Sequence, residues 1–367
     1  MACTADALTD AGCADAVVLG AGGAGFERQP AARPSTEPAT AARRERVRGI
    51  GEAALRASER VRRVIDSGRV WTGGEAWSTP AAAMAIDLTA VGTKSAPRVF
   101  PYDDRATVLY ALAIGARRDE LAYLFEGHGP RVYPTFGVIP TTDVVFDCLQ
   151  RTGCDLSMIV HHAQELSVPA ALPSSGTLTT VGEVSAIYDM KKLAQIVVDT
   201  SSSDESGKVV TTSRWTILVR GAGNFGGAPP PKKADEAPVP RDRPADFRVE
   251  QTTTTEQALL YRLTGDRNPL HADPEMAARV GFPQGPILHG LCTLGYTARA
   301  LIVAALGGDG DRMVQIGAQF RRPVWPGDTL VTEGWALDDG RFALQTSVDG
   351  RPDPVLTSAW AVPRPAK

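Results

Sequence analysis

His289-Gly-Leu-Cys-Thr-Leu-Gly-Tyr-Thr-Ala-Arg-Ala-Leu-Ile-Val-Ala-Ala-Leu306 is apolar on most faces. A helix with that pattern has no broad side to offer water, so other structure must surround it. The residues that follow supply the wrapping. Thr329–Trp335, Ala343–Val348 and Val355–Val362 read as strands, separated by turns at Asp338-Asp339-Gly340 and Asp349-Gly350, as in an antiparallel meander. A short strand (Phe247–Gln251) and a short helix (about Glu256–Leu263) precede the long helix. One long helix wrapped by a meander is an α+β design.

The same order occurs earlier in the chain. Leu109-Tyr110-Ala-Leu-Ala-Ile-Gly115 echoes Leu260-Tyr261-Arg-Leu-Thr-Gly265, and Pro134–Gln150 echoes Pro283–Arg299. Gly176-Thr-Leu178 echoes Gly327-Asp-Thr-Leu330, and Thr212-Ser-Arg-Trp215 echoes Thr357-Ser-Ala-Trp360. All four pairs lie about 150 residues apart and keep one order, which points to a duplicated domain. In the first copy the reading gives a strand at Arg98–Pro101, a helix at about Asp104–Ile114 and a longer helix at Ile139–Leu149. Strands follow at Ser185–Tyr188, Gln195–Asp199 and Val209–Val219.

Between the copies, Ala228-Pro-Pro-Pro-Lys-Lys-Ala-Asp-Glu-Ala-Pro-Val-Pro-Arg-Asp-Arg-Pro244 is too rich in proline for a ladder or a helix and reads as a stiff, exposed linker. The domain reading is therefore 1–84, an N-terminal extension; 85–227, a first domain; 228–245, the linker; and 246–367, a second domain. Residues 1–84 read as largely disordered, with an arginine-rich helical stretch over about Ala41–Ser67. Met84-Ala-Ile-Asp-Leu resembles a natural start, so a chain beginning there is expected to keep full activity. Gly20-Ala-Gly-Gly-Ala-Gly25 matches a dinucleotide fingerprint, but Pro30 and Pro34 fall where the helix of a βαβ unit belongs.

Composition excludes several classes. With 39 Lys+Arg against 42 Asp+Glu, the net charge of −3 gives no global attraction to nucleic acid. No run of about 18 apolar residues is present to span a bilayer. The five cysteines are irregularly spaced, which suits reduced thiols better than a disulfide framework. Neither a secretory signal nor a transit peptide is recognisable, and Pro365-Ala-Lys367 is not a Ser-Lys-Leu address, so a cytoplasmic location is expected.

The chemistry concentrates in Gly265-Asp266-Arg-Asn268-Pro269-Leu270-His271. A Gly-Asp turn and a proline take the backbone out of helical geometry there, so one turn can aim a carboxylate, an amide and an imidazole at one spot. Asp266 and His271 can hold a water and exchange protons with it near neutral pH, and Asn268 can orient that water without charge. Pro286-Ile-Leu-His289-Gly290 then leads into the long helix, whose first N–H groups lack internal partners and sit at its positive end. Gly290 there lets a carbonyl oxygen approach as in an oxyanion site. Water-activating groups opposite a polarised carbonyl suit addition of water to an α,β-unsaturated thioester. His289 reads as orienting the helix start, and His128, His161 and His162 as structural or exposed. A metal held by Asp266, His271 and His289 lacks the usual ligand spacing, and none is expected.

Gly265-Asp266-Arg-Asn268-Pro269-Leu270-His271-Ala-Asp-Pro274 with Pro286-Ile-Leu-His289-Gly290 resembles the signature of MaoC-like (R)-specific enoyl-CoA hydratases of the double-hotdog hydratase 2 type, as in the hydratase unit of peroxisomal multifunctional enzymes. Tyr133-Pro-Thr-Phe-Gly-Val-Ile-Pro140 and Gly221-Ala-Gly-Asn-Phe-Gly-Gly227 resemble that family's N-terminal half, so the likeness covers roughly 84–363. The resemblance implies two fused hotdog folds forming a pseudo-dimer, with catalysis in the C-terminal half. The N-terminal half, with Gly115-Ala116-Arg117, has lost the turn and leaves room for a bulky acyl chain. It also implies that Asp266 and His271 activate water, that Asn268 assists, and that the Gly290 N–H stabilises an enolate oxygen. The product would be a (3R)-3-hydroxyacyl-CoA. No cofactor is implied beyond the coenzyme A of the substrate. Acyl-CoA thioester is the expected partner, with no nucleic acid and no membrane, in a homodimer of double-hotdog chains.

One departure is His161-His162-Ala163-Gln164, where the family often has His-Gly-Glu-Gln. Arg321 and Arg322 are candidates for coenzyme A phosphates, as are Lys191 and Lys192. Two other readings stay open: a dehydratase acting on carrier-protein-bound 3-hydroxyacyl chains, and a non-catalytic hotdog that binds acyl-CoA.

Overall fold

The computed structural model describes residues 86–232 and 237–365. The chain divides into Met1–Ser78 and Thr79–Lys367, and all described residues belong to the second unit. The readings of the 1–84 extension, its arginine-rich stretch and the glycine run at 20–25 lie outside the described residues.

The first half runs β1 (Arg98–Tyr102), α1 (Asp104–Ala113), α2 (Leu121–Leu124), α3 (Thr142–Arg151), β2 (Ile159–Ser167), β3 (Gly176–Asp189), β4 (Leu193–Ser203) and β5 (Val209–Arg220). The second half runs β6 (Phe247–Thr252), α4 (Gln257–Tyr261), α5 (Pro274–Arg279), α6 (Gly290–Ala305), β7 (Met313–Phe320), β8 (Thr329–Ala336), β9 (Phe342–Val348) and β10 (Leu356–Pro363). All ten strands form one antiparallel sheet in the order β1-β3-β4-β5-β2-β7-β10-β9-β8-β6. Read outward from the middle, both halves have the same order. They meet where β2 pairs with β7, from Ala163 opposite Gln319 to Ser167 opposite Gln315. The duplication and the α+β class read from the sequence are therefore the architecture of the molecule.

Local chemistry accounts for the elements. Asp103 caps α1 by accepting from the Ala106 N–H at 3.1 Å, a favourable cap residue doing its usual work. Along β5, Thr211, Ser213, Trp215, Ile217 and Val219 are buried while Thr212 and Arg214 face out, the period-2 pattern of a half-buried strand. In α6 every residue from Leu291 to Ile302 is buried. Gly295 lets α1 pack against this helix, since a Cβ there would stand 2.4 Å from Ile114.

Three departures from the sequence reading have physical causes. The first-half helix begins at Thr142 rather than Ile139, because Pro134–Thr141 forms a 3-10 helix containing Pro140, and proline has no N–H for an α-helical ladder. Strands β2 and β7 had no counterpart in the reading. A bulge between His161 and Ala163 breaks the period of β2, and Gly317-Ala318 weakens that of β7. The proline-rich linker is not exposed throughout: Ala237 is buried against Trp335 and Ala343, and the Trp335 indole donates to the Arg243 carbonyl at 3.4 Å.

Candidate active site

Arg262–Thr264 make one 3-10 turn that stops at Gly265, whose φ of 156° disfavours any residue with a side chain. Exposure then alternates. Asp266, Asn268 and Leu270 are half-buried, whereas Gly265, Arg267 and Pro269 are exposed, so one edge of the turn faces inward. Asp266 Oδ1 accepts from the Asn268 N–H at 3.0 Å, and Asn268 Oδ1 accepts from the Leu270 N–H at 3.0 Å. These two successive Asx turns carry the chain into Pro269–His271 and leave His271 only 8% exposed.

His271 Nδ1 lies 2.8 Å from the Ile287 carbonyl. A carbonyl only accepts, so Nδ1 carries the proton and Nε2 is the bare, basic nitrogen. His289 Nε2–H donates to the main-chain carbonyl of Asp266 at 3.1 Å, and its Nδ1 is buried without a partner. The two rings stack with centroids 3.7 Å apart and planes 26° from parallel. Burial pulls the His271 pKa below the ordinary value, against opposing contributions from the Asp266 charge and the Ile287 carbonyl. Burial, reinforced by neighbouring His271, pulls that of His289 lower still. Both rings are neutral at pH 7.

A carboxylate oxygen of Asp266 and one nitrogen from each histidine lie within 4.8 Å of one another. Two imidazoles and a carboxylate are a familiar donor set for metals. An ion must lie close to the plane of each ring that ligates it, about 2.0–2.1 Å from nitrogen. Rings stacked this closely have planes that intersect well beyond that reach. The proximity is real, but the ring orientation does not suit one shared ion.

Opposite the turn stands the tip of α6. Gly290 is its first residue; the first N–H groups of any helix lack an intrahelical acceptor, and here no N-cap side chain takes one up. Leu288 holds the approach by donating to the Val324 carbonyl at 2.7 Å. The Phe320 ring packs against Gly290, where a Cβ would stand 3.0 Å from Cδ1.

All four predicted catalytic residues, Asp266, Asn268, His271 and Gly290, line one cavity of about 360 Å³. The first half completes it with Val145, Leu149, His161, Trp215 and Ile217. Arg321 and Arg322 line it too, donating to Thr357 Oγ1 (3.0 Å) and to Asp353 (2.8 Å) respectively. Lys191 and Lys192 do not, whereas Arg220, which the sequence reading passed over, does. A wider groove of about 570 Å³ lies among outward-facing residues such as Glu165, Arg214 and Trp360, and contains none of the turn's residues.

His161, read from the sequence as structural or exposed, is half-buried at the cavity wall. Its ring stacks on Trp215 at 4.4 Å and leans on Phe320 at 4.7 Å. Its Nε2–H reaches the carbonyl of Ala163, the residue standing where an acid was expected. Sequence spacing could not reveal this wall, because β2, β5 and β7 each supply one ring.

In the first half the corresponding turn is closed. Glu120, just past Gly115-Ala116-Arg117, pairs with Arg299 of α6, accepts from the Tyr133 hydroxyl, and accepts from the Arg117 N–H at 2.8 Å. Tyr296 fills the space beside Gly115, where a Cβ would come within 2.5 Å of the ring.

Comparison with known proteins places the chain in a family. Residues 100–221 match the MFE-2 hydratase 2 N-terminal domain, and 237–353 match the MaoC like domain. The chain is 41% identical over 275 residues to 3-hydroxyacyl-thioester dehydratase Y of Mycobacterium tuberculosis, covering 73% of this chain and 93% of that protein. The chain belongs to the MaoC-like hydratase 2 family. It is also 36% identical over 277 residues to the peroxisomal enoyl-CoA hydratase 2 of Arabidopsis thaliana, covering 70% of this chain and 89% of the relative. The crystal structure of a MaoC-like dehydratase from Phytophthora capsici superposes with a TM-score of 0.67 at 30% identity, covering 76% of this chain and 98% of that one. The ten-stranded sheet is thus the family's double hotdog, and the chain is a hydro-lyase. The first match ends at residue 221 and the second begins at residue 237. Among the described residues no helix is long and apolar enough to cross a membrane.

Proposed function

We propose that the chain catalyses the reversible, (R)-specific hydration of trans-2-enoyl-CoA to (3R)-3-hydroxyacyl-CoA. The observation that carries this reading is that Asp266, His271 and Gly290 line one cavity, with a carboxylate oxygen of Asp266 and a ring nitrogen of His271 no more than 4.8 Å apart. In the forward direction a water held between Asp266 and His271 gives up a proton as its oxygen bonds to C3 of the enoyl thioester. The electron pair of the double bond moves toward the thioester carbonyl, and the Gly290 N–H at the positive end of α6 meets the charge there. The same pair of residues returns a proton to C2, so H and OH are both accounted for and the residues regain their starting states. Asn268 has committed its side-chain carbonyl to Leu270, which leaves its NH₂ to donate to water or substrate.

The apolar side chains that the first half contributes to the cavity suit an acyl chain, and Arg321, Arg322 and Arg220 suit the phosphates of coenzyme A. A cytosolic setting belongs to the same proposal. Cys148, Cys154 and Cys292 are free and buried, as expected in a reducing compartment. The homodimer of double-hotdog chains does too, and light scattering measures it directly.

The test is loss of the enoyl ultraviolet band of crotonyl-CoA on addition of enzyme, with the product's configuration read by chiral analysis. An (S) product or no turnover defeats the assignment. The relative named 3-hydroxyacyl-thioester dehydratase favours a second reading, the reverse reaction on carrier-protein thioesters. Faster turnover of 3-hydroxyacyl chains on a carrier protein than on coenzyme A selects that one.

A further inference from the structure

We propose that His289 is a positioning residue that ties the acid-bearing turn to the tip of α6, through its Nε2–H bond to the main-chain carbonyl of Asp266 and the stacking of its ring on His271. The inference rests on the hydratase reading above.

His289 occupies the N-cap position of α6 yet gives its helix no side-chain cap, the service that the residue types favoured there usually perform. Its ring turns back instead to a carbonyl 23 residues earlier in the chain. Within the turn, Asp266 Oδ1 accepts from the Asn268 N–H and Asn268 Oδ1 from the Leu270 N–H, so these two bonds close the turn on itself. Two histidines tie it to the helix entrance. His271, on the turn, donates to the Ile287 carbonyl just ahead of α6. His289, at the head of α6, donates to the Asp266 carbonyl in the turn. This crossed pair sets the distance between the group that handles water and the N–H that meets the developing charge. Such distances matter: a displacement of about 1 Å at a reacting centre costs on the order of 10²-fold in rate.

The ring also carries a liability. His289 is 2% exposed, and its Nδ1 is buried without a partner, an arrangement that destabilises a fold. The Tyr261 ring lies 4.9 Å away, and its hydroxyl is likewise buried and unpartnered. An apolar ring would pack in that place without the orphaned nitrogen. A residue kept only for stability would not be expected to carry one.

The test compares His289→Phe, which keeps a planar ring and deletes the N–H, with His289→Gln, which keeps an amide N–H and deletes the ring. Hydration of crotonyl-CoA and thermal unfolding are measured on the full chain. The Phe variant is expected to melt no lower than wild type while its kcat falls on the order of 10–100-fold, with KM changed little. The Gln variant is expected to recover most of the kcat. A Phe variant with wild-type kcat overturns the inference. So does one that fails to fold, or a Gln variant no faster than the Phe variant. Wild-type turnover separates the two levels: if wild type is inactive the functional reading falls and this inference with it, whereas an active wild type matched by His289→Phe removes only the inference.

Discussion

Replacing Gly290 by proline isolates a single N–H. Proline is well tolerated at the first position of a helix, because the N–H it lacks has no intrahelical acceptor there. The residue before a proline must be extended, and His289 already is, with φ −60° and ψ 136°. A Cβ at 290 would lie 3.0 Å from Cδ1 and 3.1 Å from Cε1 of Phe320, so the ring must yield by a few tenths of an ångström. Gly290→Ala makes the same demand while keeping the N–H, which makes it the proper reference. One oxyanion donor contributes about 10²–10³ in kcat, or about 2.7–4 kcal/mol of transition-state stabilisation. Gly290→Pro should therefore turn over crotonyl-CoA about 10²–10³-fold more slowly than Gly290→Ala, with matching far-ultraviolet circular dichroism. If the two variants agree within about threefold, less than 1 kcal/mol, the tip of α6 is not the oxyanion site.

Other perturbations follow from the same geometry. Asp266→Asn keeps a side-chain oxygen for the Asn268 N–H and removes only charge, so the fold should hold while kcat drops on the order of 10²–10⁴. At no more than 4.8 Å from an imidazole nitrogen, the lost attraction is about 1–3.5 kcal/mol between water-like and protein-like dielectric, so any residual activity should have its acid limb at lower pH. Wild-type kcat in both Asp266→Asn and His271→Gln would refute the pairing. Burial holds His161, His271 and His289 below the ordinary 6.5, His161 at about 3. As pH falls below 6.5, the unfolded chain takes up protons at these sites that the folded chain refuses. Tm should therefore be level near pH 7.5 and decline from 6.5 to 5, and a Tm that rises on acidification contradicts the burial. Glu120→Ala leaves Arg299, whose side chain is 7% exposed, charged and unpaired. Breaking such a pair costs about 3–5 kcal/mol, read as a lower urea midpoint, and an unchanged midpoint refutes it.

What the sequence made legible was whatever is local. Gly265 through His271 form a turn closed by neighbouring hydrogen bonds, so residue types and order sufficed to locate it. The apolar helix from Gly290 and the strands β8–β10 declared themselves by period. The illegible parts depend on contacts between distant segments. Nothing in Ile159–Ser167 marks a central strand, because its partner β7 lies about 150 residues away and its own period is broken by a bulge. Thr212–Trp215 and Thr357–Trp360 look alike, yet Trp215 is buried against the cavity while Trp360 covers Gly317. The cause is a bulge at Ser358, with φ 44°, since slipping a strand by one residue exchanges its faces. His161, Trp215 and Phe320 become one wall only after three strands are assembled.

The pairing of β2 with β7 has a consequence for how the molecule can come apart. Since the two repeats share one ladder, the covalent tether between them serves proximity during assembly more than cohesion afterwards. A protease site placed in the proline-rich connection should yield two fragments that elute together and still hydrate substrate, parting only when the shared ladder melts.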